Sequence, residues 1–172
     1  GDDIERIEVR VNEQMYNTVC SPEMAKYKPK NEADAMFSLP YVLGTLMVQG
    51  DVWLPDFNPK SIKDPKRLSA AEKIRVVRDP GIDNESKSLN LALSLHEMEI
   101  RTKDGRSLTQ KLYHAKGFPE NPMTMEDCAE KARKCAPFAV KKFPDQKLKV
   151  LKGLIERIEE LPRIADLTGI LA

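Results

Sequence analysis

The chain has 172 residues, 28 basic against 27 acidic for a net charge of +1, and 41% hydrophobic side chains. A globular composition of this length builds a core without metal or disulfide staples, and the balanced charge leaves no electrostatic footprint for nucleic acid or an anionic membrane surface. No apolar run approaches the roughly 20 residues that span a bilayer; Cys20, Cys128 and Cys135 are odd in number and lack a Cys-x-x-Cys pair, which excludes a disulfide framework, disfavours an iron–sulfur cluster and makes a reducing, cytoplasmic setting the expectation.

Residues Ile4 to Val11 read as a strand, with Ile7, Val9 and Val11 on one side and Glu8 and Arg10 on the other. The polar stretch from Asn12 to Glu32, with Pro22 and Pro29, reads as a long loop with at most a short helical turn. The most apolar stretch, Ala33 to Val48, predicts a buried helix. Pro40 leaves two arrangements open: Ser38 begins the helix and Pro40 sits in its first turn, or Pro40 kinks it. Gly50 is a natural stop. Asp64-Pro65 pairs an N-cap with a first-turn proline and opens a short helix to about Lys73. Ile74 to Arg78 reads as a second strand, closed by Asp79-Pro80-Gly81, and Ile82 to Asn90 as a polar surface loop.

His96 to Thr102 and Arg106 to His114 predict a hairpin around Lys103-Asp104-Gly105. A three-residue loop with Gly105 left-handed sets Ile100 opposite Leu108 and His96 opposite Leu112, which keeps the apolar side chains on one face. Thr124 and Asp127 resemble a capping box opening a helix to about Cys135, with Met125, Cys128, Ala132 and Cys135 as its buried stripe. A last helix is expected from Asp145 to Leu161, before Pro162. The fold class expected is α+β: a four-stranded antiparallel sheet with helices packed on one face, plus C-terminal helices. The division expected is an α+β domain over residues 1–122 and helices over residues 123–172.

Self-contained catalytic motifs are missing. Two histidines, no zinc spacing, no phosphate-binding glycine loop and no nucleophile elbow leave little to work with. The informative segment is Asp34-Ala35-Met36-Phe37-Ser38-Leu39-Pro40-Tyr41. A buried tyrosine hydroxyl needs a partner; on chemistry alone a backbone carbonyl is the ordinary one, and the alternative is a phenol directed into a cleft.

This segment resembles the MmgE/PrpD family of lyases. The strand Asp3-Ile4 to Val9, the turn Lys103-Asp104-Gly105-Arg106, the connection Lys116-Gly117-x-Pro119-x-Asn121-Pro122-x-Thr124 and the closing Asp166-Leu167 resemble that family's elements in the same order. The resemblance implies a small α+β lid and a helical tail of an enzyme whose large helical domain precedes the lid, with the active site between them. It implies proton abstraction alpha to a carboxylate of a citrate-like di- or tricarboxylate, followed by elimination, as in 2-methylcitrate dehydratase of propionate catabolism or in cis-aconitate decarboxylase. No cofactor is implied. Tyr41 is carried over as the catalytic residue, a hydrogen-bond donor or proton carrier, and Ser38 as a weaker substrate-binding residue. A Lys-Pro…His element belongs upstream of the lid in the family; Lys28-Pro29 has no such histidine and is not its counterpart. The partners expected are a small carboxylate, the missing N-terminal helical domain and a second copy of the protein, with no nucleic acid and no membrane. The chain begins at Gly1 and is expected to be a piece that is inactive alone. Two rival readings stand beside this one: a stand-alone α+β module that binds or senses a small ligand, and a structural half that joins a separately encoded helical subunit.

Overall fold

A computed structural model describes residues 2–91 and 95–171. The chain divides into two compact units, residues 1–115 and 116–172.

The first unit is built on a four-stranded sheet. Strand β1 (Ile4–Val11) lies inside it, between β2 (Ile74–Arg78) and β3 (His96–Thr102), and β4 (Ser107–Leu112) forms the edge beyond β3. The alternation read in β1 holds: Ile7, Val9 and Val11 are buried. The same face collects Ile74 and Val76 from β2 and Met98 and Ile100 from β3, in register with Ile7 and Val9. The hairpin closes as its apolar face demands, with Ile100 opposite Leu108, His96 opposite Leu112 and Gly105 at φ 87°. The opposite face carries a ladder of ion pairs, Arg75 and Arg10 to Glu8 and Arg10 to Glu97.

The sheet is mixed, not antiparallel. Strand β2 runs parallel to β1, while β3 and β4 are antiparallel to their neighbours. The reason is the connection. Between β1 and β2 the chain crosses the sheet through helices, and a strand–helix–strand crossover returns to the end from which it started. The main crossover helix lays Leu39, Leu43 and Met47 on the apolar face of the sheet.

The stretch read as a loop after β1 is largely wound. It holds α1 (Glu13–Met15), a π-helical turn Tyr16–Cys20, α2 (Glu23–Tyr27) and α3 (Glu32–Met36). Asn12 and Asn31 cap α1 and α3 through their side-chain oxygens. Helix α4 (Leu39–Gln49) starts at Ser38 with Pro40 in its first turn, and ends at Gly50 in the left-handed conformation, φ 77°. It packs on α5 (Pro65–Ala71) at close range, because position 44 has no side chain. A Cβ on Gly44 meets the Ala71 backbone nitrogen at 2.7 Å and the Arg67 carbonyl at 2.8 Å.

The stretch read as a loop after β2 is α6 (Pro80–Ser88), capped by Asp79, whose carboxylate accepts the Gly81 and Ile82 N–H groups. Asp79-Pro80 is an N-cap followed by a first-turn proline, the same signal as Asp64-Pro65; the glycine after it made it read as a turn.

In the second unit, α7 (Met125–Cys135) begins with the full capping box of Thr124 and Asp127. Helix α8 (Asp145–Ile155) is shorter than expected; a 3₁₀ turn, Ile158–Glu160, replaces its last turns, and α9 (Ala165–Thr168) follows. Met125, Cys128 and Ala132 face Leu148, Leu151 and Ile155 of α8. None of this expected stripe is buried, and no described residue from Lys116 to Leu171 is. No described helix is long and apolar enough to cross a membrane.

Candidate functional site

The start of α4 is where chemistry gathers. Ser38 is the N-cap: its Oγ accepts the Tyr41 N–H at 3.1 Å and donates to the Lys26 carbonyl at 2.5 Å. It is 1% exposed. The Lys26 ammonium reaches back across the same junction, donating to the Phe37 carbonyl at 2.7 Å and to the Thr18 carbonyl at 3.3 Å. Helix α2 is thereby tied to the π turn before it and to the first turn of α4.

One helical turn further on, Tyr41 is 0% exposed, packed against Ala35, Ile62, Phe57 and Leu68. Its hydroxyl donates to the Asp56 carbonyl at 2.5 Å, the ordinary backbone partner for a buried phenol. Arg67, from α5, donates through Nη1 to the same carbonyl at 3.2 Å and lies 3.5 Å from the phenol oxygen. Its Nη2 pairs with the Asp56 carboxylate at 2.8 Å. The other carboxylate oxygen accepts the Trp53 N–H at 2.6 Å. Gln49 closes the ring: its side-chain amide lies between Asp56 Oδ1 and the Arg67 guanidinium, and turned with its nitrogen toward the carboxylate and its oxygen toward the guanidinium it satisfies both. Burial works against the Arg67 charge, and hydrogen bonding to Tyr41 and Asp56 outweighs it, so the guanidinium holds its proton more tightly than a free arginine.

Both expected site residues are therefore enclosed. Tyr41 and Ser38 sit close together, but neither opens on a cleft of this chain: Ser38 caps a helix, and Tyr41 holds the 3₁₀ turn Leu54–Phe57 down on α4. Nearby, Met36 at 57% exposure, Phe37 at 56% and Leu54 at 50% form an exposed apolar rim where α3 meets the Leu54–Phe57 turn. Among the described residues no group of three or more His, Cys, Asp or Glu side chains is placed to hold a metal ion.

Lys26, Asp56 and Arg67 were not singled out from the sequence. Lys26 lies in a run read as polar loop, and the partners in the Asp56–Arg67 pair are eleven residues apart with no periodic signal linking them. Only the proline that starts α5 hinted that Arg67 stands on an ordered helix.

The family's C-terminal domain, described as the MmgE/PrpD C-terminal domain, matches residues 1–157, nearly the whole chain. The chain belongs to the MmgE/PrpD family. Cis-aconitate decarboxylase of Mus musculus is 25% identical over 171 residues, which is 99% of this chain and 32% of that protein. The chain thus spans about a third of the length of the curated relative it matches. In this MmgE/PrpD domain, the Ser38–Tyr41 segment is the buried start of a crossover helix.

Proposed function

We propose that this chain is the lid and C-terminal tail of a lyase that acts on a citrate-like di- or tricarboxylate, by removing a proton alpha to a carboxylate and then eliminating. Membership of the MmgE/PrpD family and the likeness to a decarboxylase support the reaction class. The observation that carries the assignment of a part rather than a whole is the second unit. Its helices have apolar stripes, yet not one of its described residues is buried, and amphipathic helices take their stability from a surface to lie on. A helical domain ahead of residue 1 in the same protein supplies that surface and the remaining wall of the active site.

In this reading the rim of Met36, Phe37 and Leu54 faces the cleft and excludes water when the lid closes. Ser38 and Tyr41 are buried, at 1% and 0% exposure. A direct donor role for the Tyr41 phenol requires the Leu54–Phe57 turn to lift from it. The substrate's carboxylates draw most of their cationic partners from the helical domain.

The test is an assay of the full-length protein against 2-methylcitrate, cis-aconitate and related acids, beside the 172-residue chain alone. Turnover by the full-length protein and none by the chain is the expected result. A measurable rate from the chain alone overturns the division of labour, and a full-length protein that is inert to every acid in the panel overturns the lyase reading.

A further inference from the structure

A buried ammonium without a counter-charge stands at the centre of the Ser38 junction. Lys26 is 9% exposed. Its two hydrogen bonds go to backbone carbonyls, one short and one long, and no carboxylate pairs with it among the described residues. Glu23, one turn earlier on α2, is exposed and forms no ion pair with it. Cys20 does not serve either. Burial pushes its thiol up to about 11, only partly opposed by Lys26, so it is neutral in the physiological range.

Carbonyl dipoles replace part of an ammonium's hydration but none of its charge, and a buried charge left unpaired is costly. An ammonium has three N–H donors and two are used. The carbonyl that takes the shorter bond belongs to Phe37, whose side chain is exposed on the rim just described. The cation therefore lies one hydrogen bond from the backbone of a rim residue, and Lys28 and Lys30 follow it on the surface with the same sign of charge.

We infer that Lys26 is the carboxylate-binding cation that this chain contributes to the active site, its third N–H donating to a carboxylate of the substrate while the Phe37 and Thr18 carbonyls aim it. The inference rests on the lyase reading, because that reading supplies an anionic substrate at this surface.

The experiment uses the full-length protein as wild type, Lys26→Met and Lys26→Arg, with citrate as the probe. Citrate is expected to raise the melting temperature of the wild type. Lys26→Met should require at least about tenfold more citrate for the same shift, as expected for loss of one charge-assisted contact. Its own melting temperature without citrate should be unchanged or higher, and Lys26→Arg should fall between. With turnover as the readout, the change should appear in KM more than in kcat. An identical citrate dependence in Lys26→Met overturns the inference. So does a Lys26→Met protein that melts well below wild type while Lys26→Arg restores stability, since the ammonium is then a strut. A wild type that turns over an acid with a KM indifferent to Lys26→Met removes this inference and leaves the lyase reading standing. A wild type that ignores citrate and turns over nothing removes both.

Discussion

At the scale of single residues, the Arg67–Asp56 pair decides how firmly the turn over Tyr41 is held. Both side chains are more than nine-tenths buried. Removing one partner strands the other. Asp56→Ala is expected to lower stability by roughly 3–5 kcal/mol in urea unfolding, whereas a volume-matched apolar pair, Asp56→Leu with Arg67→Met, should recover much of it. Recovery of nothing by the double variant would mean that the bonds to the Trp53 N–H and the Asp56 carbonyl, not the charges, hold the turn. Tyr41→Phe separates fit from chemistry. With the phenol consumed by the Asp56 carbonyl, the expected outcome is a loss of about 1 kcal/mol with kcat little changed. A fall in kcat of about a hundredfold at retained stability would show that the turn lifts and the phenol reaches the reacting atoms.

At the scale of elements, local signals were the legible ones. Gly50 as the stop, the Gly105 loop and the Thr124–Asp127 box are each written within three or four residues, whereas Pro40 left the start of α4 open between a cap at Ser38 and a kink, and the structure takes the cap. Their energies are local too: Ser38→Ala should cost roughly 0.5–2 kcal/mol in thermal unfolding. Gly44 is different. Nothing near it in the sequence announces that α5 will pass within contact of its Cα. Gly44→Ala is expected to force α4 and α5 apart, seen as a melting temperature lowered by several degrees, because the atoms met at 2.7–2.9 Å are backbone and have no rotamer to yield. In the second unit, Lys116 and then Thr124 hold the Asp127 carboxyl at about 2, below its ordinary 3.8, and Arg133 with Lys152 holds Glu126 at about 2, below 4.5. A carboxyl depressed in the folded chain stabilises it above the ordinary value, and that contribution is lost as the pH falls through the depressed one. Helical circular dichroism should therefore decline between about pH 4 and pH 2, and Asp127→Asn should flatten that decline; an unaltered profile would show that the box does not hold α7.

At the scale of the whole molecule, the two units differ in what they bury. Residues 1–115 have a core on one sheet face, formed by Ile7, Val9, Val11 and Ile74 under α4. Residues 116–171 have none. A peptide of residues 116–172 is accordingly expected to melt without cooperativity, since marginal helices need a partner surface. The 172-residue chain, with Met24, Met36, Phe37 and Leu54 exposed, should self-associate at high concentration in sedimentation. A cooperative transition in the peptide, or a strictly monomeric chain, would show that these surfaces do not await another domain.

The sequence by itself determined the alternation in β1, the hairpin register, the starts of α5, α7 and α8 and the family, because each is carried by neighbouring residues whose period, cap or turn chemistry acts over one or two turns of chain. Tertiary structure alone decided that β2 lies parallel to β1, that the Tyr41 hydroxyl is held by the Asp56 carbonyl and that Lys26 is buried on two backbone carbonyls with no carboxylate beside it among the described residues. Those outcomes depend on how the crossover brings together residues eleven to nearly seventy positions apart, and no short-range pattern encodes the path of a helix across a sheet.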